Sequence, residues 1–182
     1  MLSFNRILVD IDALAPLHPA LSQAVDLARR ADAALTVVDV VEDVPSEARA
    51  YVSPSMEADI LGSRTRRLEA AVEKHRGKCP SIQGRILRGK PSVALIQEVL
   101  RGRHDLLVRY HGRDLKAERG YGAVDMQLLR KCPCPVWLVG VGEKTRPKRV
   151  MAAVHPDPQH PEARALNRRI IHAAAELARL EK

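Results

Sequence analysis

Aromatic side chains are nearly missing from this chain: one Trp, one Phe and three Tyr, 3% of 182 residues. That scarcity removes the stacking platforms on which single-stranded nucleic acids are held. With 46% hydrophobic residues the core must be aliphatic, which suits a parallel sheet covered by helices. Cysteine is scarce too. Cys79, Cys132 and Cys134 make no disulfide framework. The spacing Cys132-Pro133-Cys134 is not a paired zinc motif, so no metal site is expected and the cysteines read as structural. No apolar run approaches the roughly 20 residues needed to span a bilayer. The opening MLSFNRILVDID is interrupted by Asp10 and Asp12, unlike a signal peptide. A cytoplasmic, reducing environment without a membrane partner is the expectation. Acidic charge is also in deficit, with 30 Lys and Arg against 22 Asp and Glu, a net of +8. Such a balance favours anionic partners. The basic residues nonetheless alternate with acids along 57–78, as on a solvated helix face, which speaks against nucleic acid.

What is present is a regular alternation. RILVDI (6–11) reads as a strand, with Asp12 at its C-terminal end. Leu21, Ala24, Val25 and Ala28 recur at helical spacing, and the helix ends near Ala31. LTVVDVV (35–41) is a strand buried on both faces. A long connection, 42–54, leads to an amphipathic helix over 56–75, with Ile60, Leu61, Leu68 and Val72 as its apolar contacts. A weaker strand covers 81–87. Gly89-Lys90-Pro91-Ser92 then starts a helix, proline being tolerated in a first turn. Val93, Ile96, Val99 and Leu100 are expected on its inner face. Strands at 105–109 and 135–139 flank a short helix that begins near Gly122. Five strands alternating with four helices predict an α/β fold, a parallel sheet with right-handed crossovers.

The stretch 105–139 draws the functional reading. A strand runs into a charged loop, and Gly122 opens a helix, ten positions after Gly112. Backbone N–H groups at a helix start are unpaired and receive phosphate readily. After a polar linker at 143–148, RVMAAV (149–154) repeats the pattern of RILVDI, and AAELAR (174–179) echoes AVDLAR (24–29). The expected division is a domain over 1–142 and a truncated second copy over 149–182, one strand and one helix.

ILVDID, LTVVDVV, GKPSVALIQEVL and, above all, DLLVRYHGR…GYGAVDMQLLRKCPCPVWLV resemble the universal stress protein family, especially its tandem members. The resemblance implies a five-stranded parallel sheet in the order 3-2-1-4-5 with helices on both faces, Rossmann-like and similar to the adenine nucleotide alpha hydrolases. It places Asp12 and Gly112 at the point where the strand order reverses, where open α/β sheets bind ligands. ATP-binding members of that family carry Gly, two residues, Gly, nine residues, Gly, then Ser or Thr. Carried over, those positions are Arg109, Gly112, Gly122 and Ala123, so two of the four match. By the same carry-over Asp12 would meet the adenosine, Val40 would lie against adenine and Val124 would lend its N–H. Arg109 adds a long side chain where close backbone approach is required, and Ala123 offers no hydroxyl. Arg113, Lys116 and Arg119 keep the loop basic against Asp114 and Glu118.

The expectation is therefore a non-enzymatic stress-response module with a degenerate nucleotide site, acting by ligand binding and dimerisation. The competing reading is a switch that binds ATP with Mg and hydrolyses it slowly or not at all. A nucleotide-dependent enzyme would need a paired histidine or lysine motif near the first strand, which DALAPLHP (12–19) lacks. His111 has no partnered nucleophile nearby in sequence, and no catalytic residue is assigned. His155 stands where the second copy would need the acid that Asp12 supplies in the first. The apolar last strand, 135–141, is expected to pair with a second copy of the chain, alone or with the C-terminal segment.

Overall fold

In the computed structural model, residues 4–111, 121–140, 149–154 and 161–180 are described. Strand β1 (Arg6–Asp10) leads to helix α1 (Pro19–Ala31), which opens on its proline and ends at Asp32 in the left-handed conformation. Strand β2 (Ala34–Val41) follows, then a 3-10 turn (Ser46–Tyr51) and the long helix α2 (Pro54–Arg76). The Ser53 hydroxyl accepts the Met56 N–H at 3.2 Å, satisfying one of the unpaired amides of the first turn of α2. Strand β3 (Ile82–Arg88), helix α3 (Pro91–Gly102), strand β4 (Leu106–Tyr110), helix α4 (Ala123–Lys131) and strand β5 (Val136–Val139) complete the alternation. Helix α5 spans Pro161–Leu180.

All strand pairings are parallel, in the order β3-β2-β1-β4-β5. Parallel neighbours need crossovers, and the helices supply them on both faces. One apolar layer joins Ile7, Val9, Leu35 and Val37 to Leu21, Val25 and Leu27 of α1 and to Leu68 and Val72 of α2. The other joins Leu8, Val38 and Leu107 to Leu95 and Val99 of α3 and Leu128 of α4. Consecutive strand residues thus feed opposite layers, and the middle of the sheet is sealed from water on both sides. Close packing of α2 on β3 depends on Gly84, where an added Cβ would lie 3.1 Å from Val72 and 3.3 Å from Leu68.

Three expectations need correction. Residues 149–154 form no strand and are largely exposed, because no neighbouring strand of the sheet receives them. Helix α5 does form, and its Leu177 and Leu180 pack on the α1 layer. On α3 the inner face is Ala94, Leu95, Glu98 and Val99, whereas Val93 and Leu100 are exposed. The helix turns a buried glutamate inward, so apolar periodicity alone picked a face rotated from the true one. On α2, Leu68 and Val72 are buried as expected, but Ile60 is half exposed, since the first turns of this long helix overhang the sheet.

Candidate functional site

The strand order reverses between β1 and β4, whose outer neighbours β2 and β5 lie on opposite sides. At the carboxyl ends of these strands is a cavity of about 230 Å³ lined by Asp10, Asp12, Asp39, Val40, Arg64 and Arg109, among others. Asp10 and Arg109 are register partners on adjacent strands. The Arg109 guanidinium donates to the Asp10 carboxylate through Nη1 and to Asp125 Oδ1 through Nε at 2.8 Å. His111 Nδ1 lies 2.8 Å from the other Asp125 oxygen, and the His111 ring leans on Tyr121 with centroids 5.1 Å apart. Both acids are almost fully buried, Asp10 at 6% exposure and Asp125 at 5%. Buried carboxylates must be paired, and a single guanidinium with a fixed fork serves both here.

Asp125 stands in the first turn of α4, whose N-cap is Gly122. Its Oδ2 is 3.7 Å from where a Cβ on Gly122 would be. Helix starts attract anions through their free N–H groups and the helix dipole. In this chain the Asp125 carboxylate stands in that first turn and bonds to Arg109 and His111. On the β2 side, Arg64 of α2 donates from Nη1 to both Asp39 oxygens at 2.7 Å and to Asp12 Oδ1 at 3.3 Å. Burial pushes the Asp39 carboxyl up from its usual range, and the Arg64 hydrogen bond pulls it part of the way back. Asp12 itself is largely exposed and accepts the Leu14 N–H at 3.0 Å, closing the turn after β1.

The sequence-derived residues divide accordingly. Asp12, Val40 and Arg109 line the one cavity. Gly122 is the N-cap of α4 and Ala123 its first residue, and neither lines that cavity, while Val124 packs into the layer around Leu8 and Leu128. Gly112 and Arg113 lie outside the described residues, as do Lys116 and Arg119. Four participants had not been singled out for the site. Asp39 is the lone acid in LTVVDVV, and Asp125 sits at a helix start where an acid also serves the dipole. Asp10 alternates with core residues in β1, and Arg64 is one of many basic residues on α2. Of these, only the isolated acid in an apolar strand is a signal that sequence reasoning could have used. His111 joins this network as a partner of Asp125. Among the described residues, no group of three or more His, Cys, Asp or Glu could hold a metal ion, and no helix is long and apolar enough to cross a membrane.

The network sets a sharp stability expectation. Arg109→Ala takes the guanidinium from the buried Asp10 and leaves Asp125 with His111 alone, and should cost about 3–5 kcal/mol in urea unfolding. Removing all three charges, as Asp10→Ala with Arg109→Leu and Asp125→Ala, should recover most of that loss. Equal destabilisation of the single and triple variants would show that the pairing is not what holds this end of the sheet.

Comparison with known proteins agrees with this architecture. The sequence model of the universal stress protein family matches residues 3–140. Universal stress protein E of Photorhabdus laumondii is 29% identical over 184 aligned positions, covering 98% of this chain and 59% of that protein. The Escherichia coli K12 protein of the same name is 28% identical, with 98% and 58% covered. The chain thus spans somewhat under two thirds of the length of these relatives. Among solved structures, the universal stress protein UspA from Lactobacillus plantarum superposes with a TM-score of 0.60 at 21% identity, covering 76% of this chain and 99% of that one. A universal stress protein in complex with cAMP gives 0.56 at 20%, covering 75% and 97%. The Archaeoglobus fulgidus protein in complex with dAMP gives 0.53 at 15%, covering 75% and 98%. Sheet order, the position of the crevice and the match across 3–140 lead to one conclusion: the chain belongs to the universal stress protein family.

Proposed function

We propose that this chain is a non-enzymatic stress-response module that works by assembly, its nucleotide crevice closed by its own side chains. The observation that carries this is the Arg109 guanidinium held between Asp10 and Asp125. Among the described residues, the carboxylates of Asp10, Asp12, Asp39 and Asp125 face the guanidinium groups of Arg64 and Arg109. Among the described residues of the crevice an incoming triphosphate would meet more acids than bases. At the α4 start it would meet the Asp125 carboxylate, which Arg109 and His111 hold in the first turn. The cavity volume of about 230 Å³ falls below the roughly 300–1,000 Å³ of most small-molecule sites. This disposition argues against ATP with Mg as a resident ligand.

The second reading, an ATP-binding switch, draws on the fold, which is shared with proteins whose structures hold cAMP or dAMP. Calorimetry separates the two. The unaltered chain should give no heat with millimolar ATP and Mg. The variant Asp10→Ala, Arg109→Gly, Ala123→Ser, Asp125→Ser, which empties the crevice without leaving an unpaired charge, should bind detectably. Sub-millimolar binding by the unaltered chain would establish the switch instead.

Assembly through the last strand rests on the sheet edge. Strand β5 pairs with β4 and has no described strand on its other side. Leu107 N–H donates to Pro135 O and His111 N–H to Val139 O, so 135, 137 and 139 turn their backbone toward β4. The alternation of a parallel ladder then turns Val136 and Leu138 outward. We assign this row to a second copy of the chain, with 149–182 read as the opening of a second domain copy. The match to longer relatives runs through 98% of the chain, past the end of the family match at residue 140, in keeping with that assignment. Light scattering tests the edge. The unaltered chain should be dimeric or larger at micromolar concentration, and Leu138→Pro, which removes an outward donor and no β4 bond, should be monomeric. A monomeric unaltered chain would overturn the assembly.

A further inference from the structure

Cys132 and Cys134 flank Pro133 where α4 ends and β5 begins, with Cys132 as the C-cap of the helix. Their sulfurs are 3.6 Å apart. Both are half-buried against the layer containing Leu8, Leu107 and Leu128, so each keeps one side open to solvent. A disulfide holds its sulfurs at about 2.05 Å, so bond formation requires these two to close by roughly 1.6 Å, within reach of side-chain rotation. Cys79 shows the contrast. It is 4% exposed, packs among Ile82 and Leu68, and burial pushes its thiol up. That is the environment of an inert core cysteine.

We propose that Cys132-Pro133-Cys134 is a dithiol–disulfide exchange site, with Cys132 as the attacking thiol, Cys134 as the resolving thiol and a low-molecular-weight disulfide as the oxidant. The Cys132 thiolate attacks one sulfur of the small disulfide. The S–S bond of that molecule breaks, one thiolate leaves and takes up a proton, and a mixed disulfide remains on Cys132. Cys134 then gives its proton to solvent and attacks the Cys132 sulfur, expelling the second small thiolate, which is protonated in turn. The chain loses two electrons and two protons, and the small disulfide becomes two thiols. The two sulfurs are in contact and either thiol can donate. With Cys134 donating, Cys132 is lowered to about 7, whereas Cys134 is raised by giving that hydrogen bond and by burial, and this arrangement sets the order of attack. One residue between the sulfurs makes a tight ring. Strained disulfides are easily reduced, so the oxidised form should be reversible.

This site lies at the start of β5 and does not line the nucleotide crevice, and its test is direct. The full chain is incubated with glutathione disulfide, quenched in acid, alkylated and peptide-mapped by mass. The expected product is an intrachain Cys132–Cys134 disulfide that dithiothreitol reverses. Cys134→Ser should retain glutathione on Cys132. Cys132→Ser should slow glutathione uptake at Cys134 about tenfold near neutral pH, the thiolate gain being partly offset by lower intrinsic nucleophilicity. Equal rates for the two single variants, glutathione persisting on Cys132 of the unaltered chain without ring closure, or reaction at Cys79 as fast as at Cys132 would each overturn the proposal.

Discussion

One guanidinium carries the architecture of the crevice. Arg109 leaves β4 beside Asp10 of β1 and reaches Asp125 at the start of α4, so three elements meet on a single side chain. Each acid is buried, and a buried charge whose partner is removed is strongly destabilising. The positive charge is indispensable, and so is its fork, because two carboxylates must be met from one planar group. Lysine would satisfy one of them as a point charge. The consequence reaches function. In open α/β sheets the crevice at the strand-order reversal serves ligands. Here it is lined by internal ion pairs that join the strand ends of β1 and β4 to the first turn of α4.

The second half of the crevice follows the same rule with a different cation. Arg64 comes from α2, on the other side of the sheet's end, and binds Asp39 and Asp12 together. Asp39 is buried on a strand whose other residues are apolar, and its cost is met by that contact. Two arginines from two different elements thereby tie β1, β2, β4, α2 and α4 at one end. The opposite, outer side of the sheet ends in β5, whose outward backbone groups have no described strand beside them. The crevice thus carries its own ion pairs, while the sheet edge at β5 presents backbone groups to whatever lies beside it.

The fold was legible in the sequence because the pattern that encodes it is local and repeated. Apolar runs such as LTVVDVV and helical spacings such as Leu21, Ala24, Val25 and Ala28 recur in strict alternation, and the parallel sheet follows from it. The site was legible only in part. Arg109 was recognised as a side chain where backbone approach was wanted, but sequence could not show that it turns inward to two acids separated from it by 99 and 16 positions. Asp125 was hidden because an acid in a first helical turn has an ordinary explanation in the dipole. The inner face of α3 was misjudged because Glu98, 2% exposed and bonded to Arg85 at 3.0 Å, breaks the apolar rule that periodicity relies on. The second-copy strand at 149–154 failed for a different reason. RVMAAV holds only two β-branched residues, and a strand needs a neighbour to complete its ladder.

The most direct test of the central claim is a side-chain NMR measurement on Arg109. If its Nε proton is held between buried carboxylates, it should give a resolved signal that exchanges slowly with water at neutral pH. That signal should stay in place when millimolar ATP and Mg are added. A signal that exchanges like a solvent-exposed arginine, or that moves in proportion to added nucleotide, would contradict the account and show that the crevice is open.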